Sequence, residues 1–204
     1  MSSQEIAPGV WHWTARHPRI GQPVSSYYLA DERVLLDPLL PPEGFELFER
    51  LGEPEHVLMT NRHHDRDAWR LRERYGCEVH CVRQGLHELE GRGPVSAFDF
   101  GAQLPGGAVA LEIDAICPDE TALHLPAHNA LAVADGVVRM GPGAPLSFVP
   151  DHLMDEPEQT KQRLREAYRR LLDEGIEFEL LLLAHGEPLR SGGARALREF
   201  VAST

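Results

Sequence analysis

The sequence is poor in several features that define large protein classes. Cysteine occurs only three times in 204 residues, at Cys77, Cys81 and Cys117, and this small odd number predicts a reducing compartment rather than a disulfide framework. No apolar run approaches the roughly 20 residues that a transmembrane helix needs. The start of the chain also lacks the basic segment and apolar core of a secretory signal. We therefore expect a cytoplasmic protein that does not bind membranes.

Lysine is nearly absent, and positive charge is scarce overall. The chain has 20 basic residues, of which only Lys161 is a lysine, against 32 acidic residues, so its formal charge is −12. This acidic excess argues against a nucleic-acid-binding surface and against an anionic membrane surface. We expect a small-molecule substrate or ligand. The content of 42% hydrophobic and 25% charged residues is that of an ordinary globular chain. Its length suits one domain over residues 1–204.

Strand and helix patterns are present along the whole chain. We predict strands at 5–15, 25–31, 33–38, 55–60, 77–82, 108–116 and 178–188, and two strands within 122–140. Helices are predicted at 41–52, 68–76, 157–175 and 192–202. This order predicts an α/β (α+β) fold in which two mixed sheets lie face to face with helices outside, a four-layer αββα sandwich.

Three of the predicted strands end in polar side chains that can bind a metal. The segment "TNRHHDRD" follows the strand at 55–60 and contains His63 and Asp65. Asp135 follows the second strand of the 122–140 pair, and His185 follows the strand at 178–188. Histidine and carboxylate side chains are the ligands of zinc, iron and manganese. Polar groups at strand ends converge at one rim of a sandwich, so the sequence predicts a metal-binding rim.

These motifs resemble the metallo-β-lactamase superfamily over nearly the whole chain. The signature of that family is Thr-His-x-His-x-Asp-His after a strand, a Pro-Gly-His-Thr turn, a strand ending in Gly-Asp and a strand ending in His-Gly. Thr60, His63 and Asp65 match the first motif, while Asp135 and His185 match the last two. The resemblance implies the same αββα fold and a site for two metal ions.

The resemblance is incomplete at the metal-ligating positions. Asn61 and Arg66 stand where the family has its first and third histidines, and Glu120 in "CPDET" stands where the turn has its histidine. A guanidinium group stays protonated and cannot bind a metal. The resemblance thus leaves the candidate ligands His63, Asp65, Glu120, Asp135 and His185. We expect at most one ion, zinc or iron, held by His63, Glu120 and Asp135, or none.

Two functions follow from this incomplete motif, and both stay open at the level of sequence. In the first, the protein is a metal-dependent hydrolase of ester or thioester-type substrates. Asp65 would orient water or act as base, and Arg66 would bind an anionic group of the substrate or stabilise an oxyanion. In the second, the protein is non-catalytic and metal-free. Arg66 would then neutralise the rim carboxylates in place of a metal, and the rim would bind a ligand or partner. His64, between two candidate ligands, is expected to face solvent.

Overall fold

The computed structural model describes residues 2–141 and 143–203. Within these ranges the chain forms eleven strands and four α-helices. The strands are β1 (Gln4–Ala7), β2 (Val10–Arg16), β3 (Pro23–Leu29), β4 (Val34–Leu36), β5 (His56–Leu58), β6 (Glu78–Val82), β7 (Ser96–Phe98), β8 (Val109–Glu112), β9 (Thr121–Leu125), β10 (Ala130–Val133) and β11 (Leu180–Leu183). The helices are α1 (Glu46–Leu51), α2 (Ala68–Tyr75), α3 (Pro157–Asp173) and α4 (Gly193–Ser203). None of the helices in the described ranges is long and apolar enough to cross a membrane.

The strands form two mixed sheets. The first sheet has seven strands in the order β1 to β7, and the second has four in the order β11-β10-β9-β8. Strands β4 to β7 are parallel to one another, and β10 is parallel to β11. Because parallel strands end at the same edge of a sheet, the segments that follow β4 and β5 lie side by side, as do those that follow β10 and β11.

Helices cover the outer face of each sheet. On the first sheet, Phe48 of α1 and Leu71 of α2 pack with Tyr28 and Val57. On the second sheet, α3 and α4 supply Leu164, Tyr168, Leu197 and Val201, which pack with the β10 and β11 side chains Leu131, Val133, Leu181 and Leu183. The helix predicted at 157–175 is therefore α3, which buries one apolar face against the second sheet.

The two sheets pack against each other through an apolar interior. Leu36 and Leu58 of the first sheet meet Leu123 and Leu182 of the second, and all four side chains are buried. Helix, sheet, sheet and helix thus form four layers, which confirms the predicted αββα architecture. The assignment of residues 1–204 to one domain stays a prediction.

Two elements differ from the sequence prediction. The single strand predicted at 5–15 is a hairpin of β1 and β2, because Gly9 adopts a φ of 72° and turns the chain. This left-handed conformation is one that glycine adopts at little cost. Strand β7 was not predicted, since Phe98 is its only buried residue and the strand has no apolar run.

Candidate functional site

Four segments that leave β4, β5, β10 and β11 at their carboxyl ends bring the candidate site together. They supply Asp37, the turn at Arg62–His64, Asp135 and His185. Each segment follows a buried apolar strand, so its polar side chains lie where the layered core ends. The site therefore sits on rigid strand ends contributed by both sheets.

Asp135 is the centre of the site. Its Oδ1 atom lies 3.0 Å from His185 Nε2 and 3.4 Å from His64 Nε2, and its Oδ2 atom accepts a hydrogen bond of 3.1 Å from the Asn61 side-chain amide. Ligand-capable atoms of His64, Asp135 and His185 all lie within 4.8 Å of one another. We call these three residues the strand-end cluster.

Asp37 and Thr60 fix the orientation of the His64 ring. His64 Nδ1 lies 2.9 Å from Asp37 Oδ2 and 2.9 Å from Thr60 Oγ1, and the Thr60 backbone N–H donates to Asp37 Oδ1 at 2.8 Å. A carboxylate on one ring nitrogen keeps a proton there and directs the other nitrogen at the centre of the site. The backbone of Asp37 has a φ of 45°, a left-handed conformation that is strained for a non-glycine residue.

The expectation that His64 faces solvent is wrong. His64 is only 4% exposed, whereas the His63 side chain is 55% exposed and has its Nδ1 atom 3.9 Å from Glu88 Oε2. Asn61 caps the turn by accepting a hydrogen bond of 2.9 Å from the His63 backbone N–H. In this 3₁₀ turn neighbouring side chains do not alternate as they do in a strand, so His64 rather than His63 lies beside Asp135.

The structure places the five sequence-predicted metal ligands in different surroundings. Asp135 and His185 belong to the strand-end cluster, and His63 lies outside it. Asp65 is buried but is bound by Arg19 at 3.2 Å, by Arg92 and by the Trp69 indole N–H at 3.1 Å. Glu120 is fully buried. The structure therefore brings together two of the five, and it adds His64 as the third member.

Glu120 is occupied by backbone donors. Its two carboxyl oxygen atoms accept hydrogen bonds of 3.0 Å from Ile116 N–H and 2.8 Å from Gly136 N–H. Burial raises the pKa of the Glu120 carboxyl to about 7. A Cβ atom at Gly136 would lie 2.6 Å from Glu120 Oε1 and 2.6 Å from Leu164 Cδ2. Glu120 and Gly136 thus hold the loop that carries Asp135 against α3.

The guanidinium group of Arg66 donates hydrogen bonds to backbone carbonyl groups. Among the described residues, no carboxylate accepts a hydrogen bond from it. Its Nη1 atom donates to the carbonyl oxygen atoms of Ser25 at 2.7 Å and Asp37 at 2.6 Å, and Nη2 donates to that of Ala184 at 3.4 Å. Burial lowers the pKa of the guanidinium group, and the charges of Asp37 and Asp135 oppose this shift. Arg66 therefore joins the ends of β3, β4 and β11 as a cation.

The charges around the strand-end cluster balance when no metal is bound. Burial would lower the pKa of His64, but Asp37 and Asp135 raise it to about 9. Burial would likewise raise the pKa of the Asp135 carboxyl, but His64 and His185 hold it well below its usual range. Protonated His64 and Arg66 then face ionised Asp37 and Asp135, two charges of each sign.

This balance predicts that the metal-free protein loses stability as pH rises from 6.5 to 9. His64 has a higher pKa in the folded state than in the unfolded chain, so its contribution is complete below pH 6.5 and lost as pH passes 9. The shift corresponds to about 3 kcal/mol. Urea unfolding in chelating buffer at pH 6, 7.5 and 9 measures the loss, and His64→Gln should flatten it.

Most other shifted groups act outside this pH window. Glu120 overlaps only its lower end, because a folded-state pKa raised to about 7 loses its stabilising contribution between about pH 4.5 and 7. The pKa of His12, of His17 and of His80 is lowered, so these groups change stability below pH 6.5. The pKa of each of the three cysteines is raised, so the thiols act above pH 9. An equally steep loss in His64→Gln would contradict the assignment to His64.

The strand-end cluster fits a single divalent ion. Metal–nitrogen and metal–oxygen distances of about 2.0–2.1 Å place adjacent tetrahedral ligands about 3.3 Å apart, close to the 3.0 Å and 3.4 Å measured from Asp135. Two histidines and one carboxylate form a common ligand set for zinc and non-haem iron. A histidine that binds a metal commonly donates its other ring N–H to a carboxylate. Asp37 would have this role for His64.

A pocket of about 320 Å³ adjoins the site at Arg66. Its wall includes Arg19 and Arg92 together with Asp65 and Trp69. Asp65 neutralises part of the charge of its two arginine partners, and Arg66 adds a third cation. The sequence does not predict this pocket, because Arg19 and Arg92 lie far from the motif along the chain.

Comparison with known proteins finds similarity in structure but not in sequence. No family model matches the chain, and no curated protein is similar to it in sequence. Among solved structures, it is similar to the DIM-1 metallo-β-lactamase, with a TM-score of 0.74 and 12% identity over 98% of this chain and 96% of that one.

Two further solved structures extend this likeness. A metallo-β-lactamase family protein from Thermus thermophilus gives a TM-score of 0.69 and 15% identity over 98% of this chain and 80% of that one. Rubredoxin oxygen:oxidoreductase from Desulfovibrio gigas gives 0.72 and 16% over 98% of this chain, which spans 61% of the length of that protein. With two stacked sheets, outer helices and a cluster of candidate ligands at the strand ends, the chain has the metallo-β-lactamase fold.

Proposed function

We propose that the protein is a hydrolase that uses one divalent metal ion, zinc or iron, to cleave ester or thioester-type substrates with an anionic group. The observation that carries the proposal is the strand-end cluster, in which two histidines and Asp135 converge at ligand spacing. Solved structures of the same fold that are named as metallo-β-lactamases support it. A divalent ion held there would supply Lewis acidity, which makes water nucleophilic near neutral pH and polarises a carbonyl group.

The residues around the cluster position its ligands. Asp37 and Thr60 hold the His64 ring by its Nδ1 atom, so that Nε2 faces the cluster. The Asn61 amide donates to Asp135 Oδ2 and leaves Oδ1 directed at the two histidines. Fixed ligands lose little freedom when a metal binds, which favours a tight site.

The adjoining pocket provides the proposed substrate specificity. Arg19, Arg66 and Arg92 line it, and guanidinium groups bind carboxylate and phosphate groups through paired hydrogen bonds. Asp65 accepts hydrogen bonds from two of these arginines and from Trp69, so in this proposal it positions them and is not the base. Arg66 lies between the pocket and the cluster, where it can contact an anionic group of the substrate.

Hydrolysis of matched substrates tests the proposal. The zinc-loaded protein should hydrolyse an aryl ester or acyl thioester that carries a carboxylate faster than its neutral analogue, and a chelator should abolish this activity. His185→Ala should reduce kcat/KM by roughly a hundredfold or more, and Arg92→Gln should reduce the preference for the anionic substrate. His152→Ala, at an exposed histidine, is the control. Equal rates for the zinc-loaded protein and His185→Ala on every substrate would refute the hydrolase.

One observation favours a second function, a non-catalytic protein that binds a ligand without metal. The two positive and two negative charges at the site balance without an ion. In this alternative, His64 and Arg66 together provide the charge that a metal provides elsewhere. Zinc and iron titration of the wild type and of His185→Ala separates the two functions, because binding that depends on His185 with a Kd weaker than roughly micromolar would exclude the enzyme.

A further inference from the structure

A second group of ligand side chains lies at the other end of β5. The strand register pairs His56 with Glu78 and Leu58 with His80. Because side chains alternate along a strand, His56, Glu78 and His80 share one face of the first sheet. Leu58, two residues from His56, packs on the second sheet. The three polar side chains thus occupy the inner face where it opens to solvent, and we call them the β5–β6 cluster.

The three side chains converge on one point. His56 Nδ1 lies 3.2 Å from His80 Nε2, and Glu78 Oε2 lies 3.7 Å from each of these nitrogen atoms. The side chains of His56 and Glu78 are 26% and 51% exposed, and that of His80 is 9% exposed. One ligand is therefore anchored in the interior while the other two leave the point accessible to an ion from solvent.

We propose that the β5–β6 cluster is a second metal site, which binds one divalent transition ion of the zinc class. The spacing of 3.2–3.7 Å between its atoms is close to the separation of about 3.3 Å between adjacent tetrahedral ligands at zinc distances. Two imidazoles and one carboxylate provide three ligands, and solvent can provide the fourth. Hard ions such as magnesium and calcium prefer an all-oxygen set, which this cluster lacks.

A residue from the next strand supports the carboxylate. Ser96 of β7 is paired with His80, and its hydroxyl group donates a hydrogen bond to Glu78 Oε1. This contact leaves Glu78 Oε2 directed at the two imidazoles. Hydrogen bonds that orient ligating carboxylates are typical of metal sites. Without an ion, a hydrogen bond between the two imidazole rings would account for the distance between His56 and His80. It would not account for a Glu78 carboxylate that lies 3.7 Å from each of the two ring nitrogen atoms.

The ion would connect strands rather than take part in hydrolysis. His56 belongs to β5, Glu78 and His80 belong to β6, and Ser96 belongs to β7. The strand-end cluster is reached from the opposite end of β5, through the turn at Arg62–His64. A bound ion would therefore stabilise the folded chain by mass action without contacting the proposed catalytic site.

Zinc titration of the 204-residue chain carrying His185→Ala tests this site apart from the strand-end cluster. Calorimetry should show one zinc bound with a Kd that is roughly micromolar or tighter, and zinc should raise the melting temperature. Adding Glu78→Gln, which keeps the shape of the side chain, or His56→Ala should weaken binding roughly 10–100-fold or more. The matched control is His152→Ala in the same background.

Two results would overturn the proposal. The first is the absence of zinc binding by His185→Ala below roughly 100 μM, a concentration at which even a weak three-ligand site should fill. The second is unchanged zinc affinity and thermal shift in both Glu78→Gln and His56→Ala relative to the control. Neither result bears on hydrolysis, which is measured with His185 intact.

Discussion

Replacing Asp135 with asparagine is expected to weaken zinc binding at the strand-end cluster by roughly a hundredfold or more. Asp135 is the only carboxylate of the cluster and the atom Oδ1 faces both histidines. An amide has nearly the same shape, but it carries no charge and is a weak metal ligand. The substitution also removes one of the two negative charges that raise the pKa of His64, so in the absence of metal it leaves that histidine easier to deprotonate.

The Asp135→Asn titration is best made in a chain that also carries Glu78→Gln, so that the β5–β6 cluster contributes little to the signal. Asp99→Asn is the matched control, because Asp99 is an exposed carboxylate whose partner is Arg83. Calorimetry at pH 8 gives the zinc affinity of each variant. If Asp135→Asn binds zinc as tightly as the control, Asp135 is not a ligand and the proposed hydrolase has no metal centre.

Arg66→His should lower the free energy of unfolding of the metal-free protein by about 3–5 kcal/mol, as removal of one member of a buried charged network does. Arg66 donates to carbonyl groups that follow or belong to β3, β4 and β11, and the shorter imidazole cannot reach all three. Asp37 and Asp135 also lose a neighbouring cation. The same substitution adds a potential ligand beside the cluster, so zinc should restore part of the lost stability.

Urea unfolding with chelator and with zinc measures both effects. Arg70→His, at an exposed arginine of α2, is the control for the change of residue type. Arg66→Lys keeps a positive charge but loses the forked geometry, so it should fall between the wild type and Arg66→His. Stability unchanged by Arg66→His, with or without zinc, would mean that Arg66 does not hold the strand ends together.

Sequence patterns were sufficient to predict the layers and part of the rim. Apolar strands followed by Asp135 and His185 placed these two side chains at one edge, because parallel strands must end together. The same signal was available for Asp37, which follows the apolar strand β4. The αββα order followed from the succession of apolar strand and helix patterns along the chain.

The local conformation of the loops could not be read from the sequence. The choice between His63 and His64 depends on a 3₁₀ turn that Asn61 caps, and no periodic pattern marks a turn of three residues. Glu120 has the right chemistry for a ligand, but its carboxyl group is taken by two backbone N–H groups that only the folded loop presents. The partners of Arg66 come from three distant segments. They are backbone carbonyl groups, which every residue has, so no residue type in the sequence indicates them.

The anchoring of strand ends by Arg66 has a consequence for the rate of metal exchange. Where a metal ion itself orders the loops that bind it, loss of the ion is coupled to local unfolding and rebinding must wait for refolding. Here an arginine of the chain joins the ends of β3, β4 and β11, and Asp37 and Thr60 orient His64. The proposed ligands are therefore preorganised without the ion. In the proposed hydrolase, metal would enter and leave a standing site, so occupancy should follow the free metal concentration in the surroundings without a folding step in between.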